Sequence, residues 1–184
     1  MGTQEMSGFH YRLRKILHRL KAKGRHGTHS PFVYQFVERV LQAKGRQNGT
    51  VSLDNSLPKN FGHLLPGIVS FLAVEKVLGC DHGGKAIARQ LVAKMPQGQH
   101  NGSMYLISAL PSSLTLADVP FRKLSENDCV LVLKPYRTKA ASLTWAGLVS
   151  CSNANMVLDT FDLGLLLYRK DFKTKQYFRL RSWG

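Results

Sequence analysis

Two apolar runs, residues 104–107 (Met-Tyr-Leu-Ile) and Cys129–Leu133, set the strongest limit on what this chain can fold into. Each is short, and neither alternates apolar with polar residues. Continuous runs of this kind mark strands buried on both faces, as in the sheet of an α/β protein. Residues 138–149 then read as a helix covering that sheet. Segments 155–161, 163–169 and 176–181 are strand-like and are joined by links too short for helical crossovers. Antiparallel pairing is therefore predicted at this end.

The first third has a different texture. Phe9, Leu13, Ile16, Leu17 and Leu20 recur at helical spacing, with Arg12, Arg14, Lys15, Arg19, Lys21 and Lys23 filling the positions between. That pattern predicts a basic amphipathic helix ended by Gly24. Such a helix can dock on the domain with a solvated basic face. It can equally serve as a lid, contact phosphates, or lie in a membrane interface. Ser30-Pro31 opens a second helix: serine accepts from the orphan amides, and proline tolerates the first turn because its missing N–H has no partner there. Val33, Phe36, Val37, Val40 and Leu41 line one face of it. Residues 45–60 are polar and turn-rich. Residues 64–78 are compatible with a helix followed by a strand or with one helix. A glycine-rich turn at 79–84 leads into a helix over 85–95, where Ile87, Ala88, Leu91 and Met95 form a stripe that Pro96 ends. The division expected is an N-terminal helical segment, 1–45, followed by an α/β domain, 46–184, in one compact unit.

Charge and cysteine usage narrow the setting. The formal net charge is +15, and residues 1–46 carry ten Lys/Arg against Glu5 and Glu38. A second basic cluster comprises Arg169, Lys170, Lys173, Lys175, Arg179 and Arg181. Such a balance favours polyanionic partners, nucleic acid or an anionic membrane surface. Arg12, Arg14, Lys15, Arg19, Lys21, Lys23 and Arg25 are the candidate contacts. Cys80, Cys129 and Cys151 are odd in number and far apart, which predicts reduced thiols in a cytoplasmic protein rather than a disulfide framework or zinc knuckle. No apolar run reaches the roughly 20 residues of a spanning helix. His26 and His29 lack an accompanying ligand pair, so no metal site is expected.

Two segments carry a family resemblance. His26-Gly27-Thr28-His29-Ser30-Pro31-Phe32-Val33, after a basic helix, resembles a segment found in bacterial class I S-adenosylmethionine-dependent methyltransferases. Asp159-Thr160-Phe161-Asp162-Leu163-Gly164, followed by an apolar run and Arg169-Lys170, resembles a late strand pair of the same family. Residues 126–133 are similar to its fifth strand, and Trp145 sits where the following helix often has one. The resemblance covers about half of the chain. It implies a Rossmann-like sheet, mostly parallel with an antiparallel C-terminal hairpin, and S-adenosylmethionine as cofactor.

The chain also departs from that pattern. The family holds the methionine part of its cofactor on a glycine-rich turn after the first strand, where only glycine allows so close an approach. A carboxylate at the end of the second strand holds the ribose. No Glu/Asp-x-Gly-x-Gly stretch is present. The nearest cluster, Gly79-Cys80-Asp81-His82-Gly83-Gly84, reads as following the second strand. It makes Glu75, Gly79, Asp81 and Gly83 the candidate cofactor residues, with Glu75 or Asp81 on the ribose. The strand over 129–133 ends in Lys134-Pro135-Tyr136, where relatives with metal-assisted sites carry acids, and lysine cannot replace a carboxylate on a hard cation. About six strands are expected against seven in the full fold, as if one βα unit were missing. No catalytic residue can be assigned. Two functions follow: methyl transfer from S-adenosylmethionine, or a methyltransferase-like scaffold serving as a basic module that binds RNA or another polyanion.

Overall fold

A computed structural model of the chain describes residues 8–22, 30–42, 61–93, 101–110, 124–151 and 153–181. His26, His29, Lys23, Arg25, the turn-rich stretch at 45–60 and the helix end at Met95-Pro96 lie outside the described residues. Six strands form one sheet: β1 (Lys76–Gly79), β2 (Ser103–Ile107), β3 (Cys129–Leu133), β4 (Met156–Asp159), β5 (Leu163–Leu167) and β6 (Gln176–Arg179). Their spatial order is β1-β2-β3-β5-β4-β6. β1, β2 and β3 are parallel, while β5 runs antiparallel between β3 and β4. The chain is α/β as expected, with a mostly parallel six-stranded mixed sheet that contains an antiparallel β4–β5 hairpin.

The last strand corrects the expectation of antiparallel pairing throughout this end. β5 is flanked by β3 and β4, so β6 has no free edge of β5 to join. It pairs instead with the outer edge of β4, and because it reverses direction relative to β5 it lies parallel to β4. Five strands thus point the same way and β5 alone is opposed.

Side chains alternate between two cores, as period-two geometry requires. Cys129, Leu131 and Leu133 face one layer together with Met156, Leu158, Leu163 and Leu165. That layer is completed by α2 (Pro31–Phe36), α3 (Phe61–Phe71) and α4 (His82–Val92), with α2 running on as a π-helix over Val37–Leu41. The five residues expected on the inner face of this second helix, from Val33 to Leu41, are all buried. Ser30 caps it as predicted: its Oγ accepts from the Val33 amide at 3.4 Å, and Pro31 takes the first helical position. Helix followed by strand is the outcome for the ambiguous stretch at 64–78.

The opposite face carries α5 (Lys139–Cys151), whose Trp145 and Leu148 pack on Val130, Val132, Val157 and Leu166. Thr138 Oγ1 accepts from the Ala141 amide at 2.9 Å and fixes the start of this helix. Gly164 permits the packing. A Cβ placed there would stand 2.5 Å from Trp145 Cη2, so the indole lies flat on strand backbone that any other residue would cover.

One helix belongs to neither layer. α1 (Gly8–Lys21) lies across the carboxyl ends of β3, β4 and β6, where it meets the loops that leave those strands.

Candidate functional site

In open α/β sheets, ligands bind beyond the carboxyl ends of the parallel strands. Two clusters occupy that edge here, one beyond β1 and β2 and the other beyond β3, β4 and β6.

The first contains the candidate cofactor residues. Gly79-Cys80-Asp81 leaves β1, the first described strand. Asp81 is the N-cap of α4: its Oδ1 accepts from the amides of Gly84 (3.2 Å) and Ser108 (2.9 Å), and its Oδ2 accepts from the Ser108 hydroxyl at 2.5 Å. The carboxylate therefore ties the start of α4 to the end of β2. The glycines are explained by the same packing. A Cβ on Gly79 would meet Lys85 N at 2.1 Å, on Gly83 the Ser108 hydroxyl at 2.2 Å, and on Gly84 the Leu106 carbonyl at 2.5 Å. At each of the three, the position that a Cβ would take is used by the chain's own packing. Glu75 lies at the opposite, amino end of β1, exposed and 3.5 Å from Lys76 Nζ. β1 is also an edge strand, paired only with β2, so among the described strands it has no second neighbour to form a crevice. As arranged, Glu75, Gly79, Asp81 and Gly83 do not fit the cradle that the resemblance implies. Cys80 beside them is a poor nucleophile: burial, then the Asp81 charge, push its thiol up to about 11.

The second cluster grows from the Asp-Thr-Phe-Asp turn between β4 and β5. Asp159 ends β4 fully buried. Its Oδ2 accepts from the hydroxyls of Tyr136 (2.5 Å) and Tyr177, its Oδ1 accepts from the Phe161 amide at 2.8 Å, and His18 Nε2 lies 3.2 Å from Oδ1, off the line of a hydrogen bond. Burial alone would raise this carboxyl. The contacts from His18, Tyr136 and Tyr177 outweigh that and hold it below its ordinary value. The same arrangement acts in reverse on the phenols. Burial, then the Asp159 charge, raise Tyr136 and push Tyr177 up to about 12.

Phe161 turns the hairpin at φ +74°, a left-handed conformation that is rare for an aromatic residue. It sets the ring on Tyr136, centroids 4.9 Å apart and planes 15° from parallel. Asp162 then receives the Tyr11 hydroxyl at 3.1 Å and Lys15 Nζ at 2.5 Å. Lys134, also left-handed at φ +48°, donates its amide to the Asp162 carbonyl. Burial, then the charge of Arg137, lower its ammonium.

Over this turn, α1 and β6 enclose a pocket of about 240 Å³ lined by Arg14, Leu17, His18, Lys21, Tyr136, Phe161 and Arg179. Arg14 lies over the Tyr136 ring and Arg179 over the Tyr177 ring, at 5.8 and 5.4 Å from the centroids. Both aspartates beneath are engaged by the protein's own donors, so the lining presents guanidinium and ammonium groups above an aromatic floor. Chemically this suits an anion attached to a planar group.

Of the predicted polyanion contacts, Arg14 and Lys21 meet at this pocket. Lys15 is turned inward onto Asp162, and Arg12 and Arg19 lie exposed on another side of α1. His18 and Tyr11 escaped the sequence reading. Their signal was present, since Tyr11, Lys15, His18 and Ala22 recur at helical spacing as a second stripe and are the half-buried and buried residues of this segment. Comparison of the chain with protein-family models, characterised proteins and solved structures gave no match.

Proposed function

We propose that this chain is a methyltransferase-like scaffold whose working surface is a basic pocket for a phosphate-bearing polyanion, RNA being the class that suits it best. The observation that carries this reading is the convergence of Arg14, Lys21 and Arg179 on one pocket over the Tyr136–Phe161 stack. Arginine and lysine neutralise phosphates, and the half-buried Tyr136 ring at the floor gives an unpaired base an aromatic contact. The overall charge of +15 draws such a ligand in from a distance. The glycines beyond β1 serve the chain's own packing and Asp81 is engaged in capping α4, which speaks for weak or absent binding of S-adenosylmethionine. Methyl transfer remains the second reading, favoured by the glycine turn following the first described strand and by the antiparallel β5 set between β3 and β4.

Fluorescence anisotropy with a single-stranded RNA oligonucleotide across a salt series tests the first reading. Binding should weaken steeply with salt. Arg14→Gln with Arg179→Gln should flatten the log–log slope by about 1–2, since each single-strand phosphate contact contributes roughly 0.7. Calorimetric titration with S-adenosylmethionine should give no saturable heat. RNA affinity unchanged in the double variant, or micromolar cofactor binding, would overturn the proposal.

A further inference from the structure

The orientation of α1 is the reverse of what its sequence leads one to expect. An amphipathic helix on a globular domain normally buries its apolar stripe. Here the polar stripe of Tyr11, Lys15 and His18 faces the domain, and the apolar stripe faces solvent: Phe9 is 73% exposed, Ile16 55% and Leu20 74%, with Leu13 and Leu17 also exposed. At 3.6 residues per turn the two stripes lie on opposite sides of the helix. Arg12 and Arg19 flank the apolar stripe on one side, Arg14 and Lys21 on the other, and α1 contains no acidic residue.

We propose that α1 docks this protein onto an anionic lipid bilayer, lying in the plane of the surface with Phe9, Leu13, Ile16 and Leu20 in the headgroup–acyl boundary. This goes beyond the polyanion pocket, which meets the apolar stripe only along the border of Arg14, Leu17 and Lys21. The partner follows from the charge pattern. A five-residue apolar stripe offers nothing to RNA, which the basic flanks alone would serve. A second copy of the chain, packed face to face, would set Arg12, Arg19 and Lys21 against their own counterparts. An anionic bilayer satisfies both features at once, taking the apolar side chains while its phosphates meet the arginines and lysine that border them. The helix rests on the surface rather than crossing it, because no helix among the described residues is long and apolar enough to span.

Co-sedimentation of the full chain with phosphatidylcholine vesicles, with and without phosphatidylglycerol, tests this. The protein should pellet with the anionic vesicles and not with the neutral ones, and salt should release it. The triple variant Leu13→Gln/Ile16→Gln/Leu20→Gln changes only exposed positions and spares the pocket-lining Leu17. It should keep the wild-type melting curve and RNA affinity yet lose vesicle partitioning by roughly tenfold or more per side chain that inserts fully. Arg12→Gln/Arg19→Gln should weaken partitioning and reduce its salt dependence, while Arg14→Gln/Arg179→Gln should retain most of it. A wild type that stays in the supernatant overturns the proposal, as does equal pelleting with neutral vesicles. The same holds if the triple variant pellets like the wild type, or abolishes a self-associated dimer.

Discussion

Replacing Asp159 by asparagine should destabilise the protein by about 2–4 kcal/mol, and the estimate comes from its partners. The carboxylate takes hydrogen bonds from Tyr136 and Tyr177 on Oδ2 and from the Phe161 amide on Oδ1, with His18 alongside. Asparagine is nearly isosteric, so the bond from the Phe161 amide survives. The two phenols then face an amide that donates. Bonds to a charged acceptor contribute about 1.5–3 kcal/mol each, and loss of two is partly offset because a buried charge no longer has to be desolvated. Asp162→Asn is the comparison: it also loses two donors, Tyr11 and Lys15, but Lys15 keeps 30% of its side-chain surface exposed, so the loss should be smaller, about 1–2 kcal/mol. Urea unfolding followed by circular dichroism measures both. The pH dependence provides an independent check. Asp159 titrates below its unfolded value of about 3.9, so its contribution is complete above about pH 5 and is lost as pH falls through the folded value. The variant should therefore lose less stability on acidification than the wild type, with a residual slope from Asp128, whose carboxyl is also held low despite burial by bonds from Ser125 and Ser103. An Asp159→Asn protein within about 0.5 kcal/mol of wild type, or one with an identical acid profile, would refute this account.

Three further outcomes are expected. Gly164→Ala sets a methyl 2.5 Å from Trp145 Cη2, against an ordinary contact of about 3.5–4.0 Å, and should cost about 1–3 kcal/mol in urea unfolding, less than additively when combined with Trp145→Phe. Ser30→Ala removes the cap of α2 and should cost about 0.5–2 kcal/mol, read as a lower melting temperature. Because Tyr136 and Tyr177 are raised in the folded protein, their contribution is intact below about pH 10 and lost as pH rises through the folded values; spectrophotometric titration should show fewer tyrosinates at pH 11 than in urea.

What the sequence revealed depended on the reach of the interactions involved. The run Cys129–Leu133 disclosed a central strand because burial on both faces leaves a continuous apolar signature, and all five residues are buried. Ser30-Pro31 disclosed a helix start because capping is completed within three residues. The place of β6 was not legible, because it depends on which strand edge remains open after β3, β4 and β5 have paired. The site was hidden for a related reason. Tyr11 and Lys15 bond to Asp162, and His18 lies against Asp159, across about 150 positions, and nothing local marks that partnership. The basic residues were visible as a class, yet only assembly of α1 with β6 separates Arg14 and Lys21, at the pocket, from Lys15, turned inward.

The reversed helix follows from where it sits. A helix laid on the face of a sheet meets side chains such as Leu131 or Leu166 and must offer apolar residues in return. α1 lies on the edge instead, over strand ends whose nearest groups are Asp159, Asp162 and the turn between them. Donors satisfy those carboxylates, so Tyr11 and Lys15 turn inward, His18 follows on the same stripe against Asp159, and the apolar stripe is forced outward. The exposure left on its five residues amounts to roughly three full side chains, worth at most about 4–9 kcal/mol if transferred from water. A single myristoyl chain binds bilayers with a constant of about 10⁴ M⁻¹, near 5.5 kcal/mol, which gives only marginal and reversible attachment. The apolar stripe is thus comparable to one such chain, and the basic flanks supply the second signal that stable anchoring takes. Attachment built this way responds to salt and to the anionic lipid content of the surface, with Arg14, Leu17 and Lys21 on the border between bilayer and pocket.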